Sequence, residues 1–145
     1  MRARSIPVQT LLLVDDDADY LELNAIALAA AGYRTICACS EEEAMREVAC
    51  NHIHAAIVDV MMETPDAGFR LARALRRDSR TKDIPIVLLT CINERNRARK
   101  LYTFSDLDRD DTWLPVERIL DKPCPPTKLL SVLREVMGAK CRAED

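Results

Sequence analysis

Four short apolar runs punctuate the chain, and each ends on a polar residue able to do chemistry. Leu12-Leu13-Val14 leads into Asp15-Asp16, Ala56-Ile57-Val58 into Asp59, Val87-Leu88-Leu89 into Thr90, and Leu120 into Asp121-Lys122-Pro123. A strand buried on both faces of a parallel sheet reads as such a continuous run. The pattern predicts strands over about Thr10–Val14, Arg34–Cys39, Ala55–Asp59, Ile84–Thr90 and Arg118–Asp121.

Between these runs the period changes to that of a helix. Leu21, Leu28 and a run of alanines predict one helix over Ala18–Ala31, with Gly32 where a C-terminal cap belongs. Ser40-Glu41-Glu42-Glu43 has the form of a capping box and opens a second helix, to about Ala49. A third starts near Ala67 and carries Phe69, Ala72 and Leu75. The last runs from about Pro126 to Met137, with Pro in its first turn and Leu129, Leu130, Leu133 and Val136 as its stripe.

Alternating strands and helices imply an α/β fold with helices on both faces of a parallel sheet, and right-handed crossovers make it doubly wound. Residues just past the carboxyl ends of the strands then share one rim, where such sheets bind ligands. Three acids, a hydroxyl and an ammonium should meet there. Two carboxylates 4 Å apart repel by about 4 kcal/mol at an effective dielectric near 20, so such a cluster takes up protons or binds a cation. Mg²⁺, which prefers oxygen ligands, suits it.

The chain length of 145 residues fits one domain. No apolar run approaches the length of a membrane span, and Asp15 to Asp17 interrupt the first run too early for a signal peptide. The expected location is therefore the cytoplasm, with no membrane partner. Six cysteines form no Cys-x-x-Cys pair, so the expectation is free thiols used as small apolar fillers rather than zinc ligands. His52 and His54 read as part of a solvated turn. Charge is uneven: residues 1–69 are net −8, residues 70–100 net +7 and residues 101–145 net −2. The basic block could face an acidic partner or nucleic acid, but two solvated Arg-rich helix faces are the plainer reading, and no nucleic-acid partner is expected.

The order Asp15-Asp16, Asp59, Thr90, Lys122-Pro123 on successive strands resembles the receiver domain of two-component response regulators. The resemblance covers about residues 8–138, with tails at 1–7 and 139–145. It implies a five-stranded flavodoxin-like sheet in the order 2-1-3-4-5. It also implies that Asp59 is the phosphoacceptor, with Asp16 and Asp59 binding Mg²⁺ directly, Asp15 acting through water, and the backbone carbonyl of Met61 completing the set. Lys122 would pair with a phosphoryl oxygen. Thr90 would donate its hydroxyl to another and act as the switch with position 119. A cis peptide would join Lys122 to Pro123. The implied partners are a sensor histidine kinase or histidine phosphotransfer protein and a downstream protein target. The implied catalysis is limited to the chain's own phosphorylation and dephosphorylation. With no room for an output domain after the last helix, a stand-alone regulator is expected, as a monomer or weak homodimer.

The chain departs from the common pattern in four places. Glu63 stands where receivers usually carry Pro, and Gly68 comes one residue late, as if the loop after Asp59 held an insertion. Ile119 replaces the usual aromatic switch residue. The interval from Thr90 to Lys122 is longer than usual, the extra residues falling around 101–115. This Asp-rich insert, with Trp113-Leu114-Pro115-Val116 at its end, resembles that of a subset of stand-alone receivers and lies beside the output surface. Met61 and Ile92 hold the two positions that tune phosphoryl lifetime; neither can orient water, which implies slow self-dephosphorylation.

Two other classes compete. A phosphatase of the haloacid dehalogenase type would use Asp15 as nucleophile within Asp15-Asp16-Asp17, with Thr90, Lys122 and Asp110-Asp111 in support, but it leaves Asp59 without a role. A phosphate-independent binding module would keep the fold and lose the chemistry.

Overall fold

The computed structural model describes residues 8–60, 67–90, 116–122 and 124–144, with side chains through 138. Five parallel strands form one sheet: β1 (Thr10–Val14), β2 (Arg34–Ala38), β3 (Ala55–Asp59), β4 (Ile86–Thr90) and β5 (Arg118–Asp121). Their order is β2-β1-β3-β4-β5. Four helices are described: α1 (Ala18–Ala30), α2 (Glu41–Cys50), α3 (Ala67–Arg77) and α4 (Pro126–Glu144). The architecture is the doubly wound sheet that the apolar runs predict.

Local chemistry sets the element ends. Asp17 caps α1, its side chain accepting from the backbone N–H groups of Asp19 and Tyr20. Beyond α1, Gly32 takes φ +100°, a conformation that favours glycine. Gly32 N–H donates to Ala29 O and Tyr33 N–H to Leu28 O, which closes the helix in a Schellman motif. Ser40 Oγ accepts from Glu43 N–H at 3.1 Å and so caps α2. The expected start of β4 at Ile84 comes two residues early, because Ile84 N–H is spent in a turn on Thr81 O and Pro85 has no N–H to give. The last helix runs beyond its expected end, to Glu144.

Alternation along the strands divides the core in two. Leu12, Val14, Ala56, Val58, Ile86, Leu88 and Ile119 pack with α2 and α3 residues such as Val48, Leu71 and Leu75. Leu11, Leu13, Ala55, Ile57, Val87, Leu89 and Leu120 pack with Leu21, Leu28, Leu129 and Leu133 of α1 and α4. The same parity fixes which side of the sheet each rim residue starts from. Asp15 and Asp59 continue the α1–α4 series, whereas Thr90 and Ile119 belong to the α2–α3 series.

Two expectations about small features change. Cys124 is buried, as a filler should be, but Cys37, Cys39 and Cys50 are exposed. Two of these lie on or beside β2, an edge strand, and Cys50 ends α2. His54 is more than part of a solvated turn. Its Nδ1 accepts the Thr10 backbone N–H at 2.9 Å, and it meets His52 edge-on. Burial pushes the His54 pKa down, with the neighbouring His52 adding to the shift. In the basic block, Arg70 and Arg80 pair with Glu41 and Asp78 at the surface, whereas Arg76 is half-buried, pairing with Glu117 and donating to Lys82 O and Ile84 O; the second expected Arg-rich face, in 91–100, lies outside the described residues.

Candidate functional site

The three acids meet at the carboxyl rim. Asp15 follows β1, Asp59 ends β3, and register places Val14 beside Val58 and Asp59 beside Leu89. Asp15, Asp16 and Asp59 each offer a carboxylate oxygen within 4.8 Å of the others. Asp15 and Asp59 are buried; Asp16 is exposed. The helix cap is Asp17, which leaves Asp15 and Asp16 for the rim. Asp15 is held in place by Asp17 N–H, which donates to its Oδ1 at 2.9 Å.

Lys122 comes to the same point from the end of β5. Its backbone N–H donates to Thr90 O at 2.9 Å, tying the ends of β4 and β5 together. Its Nζ donates to Asp15 Oδ2 at 2.6 Å and lies 3.4 Å from Asp59 Oδ1. The second contact is an ion pair without hydrogen-bond alignment, so the buried Asp59 Oδ1 has no donor. Thr90 is buried at the end of β4, level with Asp121. Ile119 is 7% exposed and packs into the α2–α3 cluster. Met61, Ile92, Pro123 and the insert at 101–115 lie outside the described residues.

The electrostatics follow from this crowding. Burial raises the Asp59 pKa from 3.8 to about 7, and the Asp15 charge adds to the rise against the pull of Lys122. Burial alone would lower Lys122, but its hydrogen bond to Asp15 and the two carboxylate charges outweigh it, and the net shift is upward. The sign of the consequence is fixed. Between pH 4 and pH 7 or so the folded state keeps the Asp59 proton and the unfolded chain does not, so stability from this group falls as pH rises through that window. In the presence of chelator, Asp59→Asn is therefore expected to raise the melting temperature at pH 8, the gain fading toward pH 5. Thermal melts at both pH values check this; an equal gain at pH 5 would contradict it.

Sequence reading missed Tyr20. Lys122 Nζ sits 4.4 Å from the centroid of its ring. Nothing in the periodicity marks this residue, because Tyr20 in α1 and Lys122 after β5 are far apart in the sequence and meet only in the folded chain. Gly68 was visible only as a displaced glycine. In the structure its N–H donates to Val60 O at 2.8 Å. A Cβ there would lie 2.3 Å from Asp59 O and 2.4 Å from Val60 Cα, so α3 docks on the backbone at the end of β3.

A doubly wound parallel sheet carrying an acid triad and a lysine at its carboxyl rim fits the site of a phosphoacceptor-type signalling domain. A family model described as the response regulator receiver domain matches residues 11–134, and the chain belongs to that family. The phosphate regulon transcriptional regulatory protein PhoB of Pseudomonas aeruginosa is 32% identical over 130 residues, covering 89% of this chain and 52% of the regulator. The chain spans about half the length of that relative. Among solved structures, a sensor protein from Polaromonas sp. JS666 is 28% identical with a TM-score of 0.75, covering 92% of this chain and 99% of that one. The chemotaxis response regulator CheY4 of Vibrio cholerae is 25% identical with a TM-score of 0.71, covering 90% and 99%. The family and the central place of Asp59 favour a receiver over a phosphatase built on Asp15. Among the described residues no helix is long and apolar enough to cross a membrane.

Proposed function

We propose that this receiver takes a phosphoryl group onto Asp59 from a phosphohistidine of a sensor kinase or phosphotransfer protein and passes the signal to a downstream protein. The observation that carries the reading is Lys122 lodged between Asp15 and Asp59 at the rim, with Asp16 open to solvent. The donor set suits Mg²⁺: three hard oxygen ligands, one of them a buried carboxylate oxygen with no donor of its own. Asp16 and Asp59 would hold the ion, with Asp15 behind them, and when bound it neutralises the acid cluster and the phosphoryl oxygens.

A carboxylate oxygen of Asp59 attacks phosphorus, forming the P–O bond of an acyl phosphate. The P–N bond to the donor imidazole breaks, and its electron pair leaves with the nitrogen, which takes up a proton. Lys122 turns its point charge to a phosphoryl oxygen. Thr90 supplies a hydroxyl to another and couples occupancy of the site to the α3 side of the sheet. The chain catalyses no reaction on a separate substrate; it speeds only its own modification and its reversal. Phosphorylation adds about −1.5 to −2 charges at this point.

Intact-protein mass after incubation with Mg²⁺ and acetyl phosphate tests the proposal. One phosphoryl adduct is expected on the wild-type chain, none on Asp59→Asn, and none when the metal is chelated. Asp15→Asn is expected to react slowly, since it loosens Lys122 without removing the acceptor. An adduct that persists in Asp59→Asn and vanishes in Asp15→Asn would move the nucleophile to Asp15. No adduct under any condition would leave a phosphate-independent binding module.

A further inference from the structure

The Lys122 ammonium is enclosed on three sides. Asp15 and Asp59 take two of them, and the face of the Tyr20 ring takes the third. The placement of the ring is built in by the start of α1. Asp17 Oδ1 accepts from Asp19 N–H at 3.1 Å and Tyr20 N–H at 3.2 Å, while Asp17 N–H donates to Asp15 Oδ1. The carboxylate that grips Lys122 thus also anchors the turn that carries Tyr20. The tyrosine hydroxyl is buried and has no hydrogen-bond partner, which is a cost to folding. The useful part of this side chain is therefore its ring.

A compact ammonium is strongly hydrated and keeps water unless something replaces it. An aromatic face attracts the charge through its quadrupole and carries no charge of its own. A third carboxylate in that position would cancel part of the lysine's field, and water would screen it. A ring does neither, so the full charge stays directed at the two acids.

We infer that Tyr20 is a positioning residue, its ring forming the seat that holds the Lys122 ammonium, stripped of water on one side, against the acceptor pair. This rests on the reading of Asp59 as the phosphoacceptor. The test uses the whole chain as wild type, Tyr20→Phe and Tyr20→Met, the methionine filling space without a ring face. Proton–carbon spectra of lysine-labelled protein, with Lys122→Met to assign the signal, are expected to show the Lys122 ε-protons shifted upfield in wild type and Tyr20→Phe. That shift is expected to vanish in Tyr20→Met.

With saturating Mg²⁺ and acetyl phosphate, Tyr20→Phe is expected to gain phosphoryl at the wild-type rate and Tyr20→Met about fivefold more slowly, the size expected for one cation–π contact. Melting curves of all three confirm that the comparison is between folded proteins. A Tyr20→Met rate equal to wild type would overturn the inference, as would Tyr20→Phe being as slow as Tyr20→Met. If the wild-type chain takes no phosphoryl group, the acceptor reading falls. The seat is then decided in the unmodified protein alone, where a missing upfield shift overturns it.

Discussion

Lys122→Met is expected to slow phosphoryl transfer to Asp59 by about a hundredfold or more, the loss seen when one preorganised charge or donor is taken from a transition state. The structure gives the reason. Lys122 is the cation placed directly between the buried acids, 2.6 Å from Asp15 and 3.4 Å from Asp59. Methionine keeps the bulk of the side chain and removes its charge. The acids then face each other without a counter-charge, so the Asp59 proton should be held still more tightly and the nucleophile becomes scarcer at neutral pH. The transferring group also loses its only nearby ammonium among the described residues. Mass spectra taken over a time course with acetyl phosphate measure the rate directly. A variant within tenfold of wild type would show that Lys122 is structural, a clasp between β1 and β3.

Gly68→Ala should be costly out of proportion to its single methyl group. The added carbon has no cavity to enter and meets two backbone atoms at the end of β3 at separations that no Cβ tolerates, 2.3 Å and 2.4 Å. Asp59 ends β3 and the next residue's N–H, that of Val60, donates to Leu89 O of β4, so this backbone cannot yield as a flexible side chain would. The start of α3 must lift instead, breaking the hydrogen bond from Gly68 N–H to Val60 O. Overpacking of this kind costs about 3 kcal/mol, which in a domain of this size lowers the melting temperature by roughly 10 °C. The displacement is centred on Asp59, so phosphorylation should fall in the molecules that still fold. Calorimetry and the phosphorylation time course check the two effects; a shift of a degree or two would mean that α3 repacks freely.

Much of this site can be read from the pattern of the chain. Strands β1 and β3 have the ends that their apolar runs predict, because a strand buried on both faces leaves an unambiguous trace. The rim acids and Lys122 are legible as the first or second polar residues after each run. Gly32 and Ser40 announce helix ends through turn and capping chemistry that acts over a few residues. What escapes the sequence is set by contacts between distant segments. Tyr20 lies in the first turn of α1 and reads as an ordinary aromatic until Lys122 is placed over it. His54 looks like a loop residue until Thr10 donates to it. The cysteines read as core because their type usually is, but exposure on an edge strand depends on the strand order, which individual residues do not reveal. The role of Gly68 likewise depends on how closely α3 approaches β3.

The parity of the strands puts the acid cluster and Thr90 on opposite faces of the sheet. Asp15, Asp59 and Lys122 gather where α1 and α4 cover the sheet, while Thr90 and Ile119 start from the face that α2 and α3 cover. On the proposed reading, a charge placed on Asp59 arises on one side and Thr90 faces the other, and the backbone hydrogen bond from Lys122 N–H to Thr90 O runs between them. Ile119 offers no hydroxyl to swing outward, only aliphatic bulk wedged among Val116 and Leu88. On the proposed reading of Asp59, a partner on the α2–α3 face would meet a change of packing shape at position 119 rather than a new polar group there.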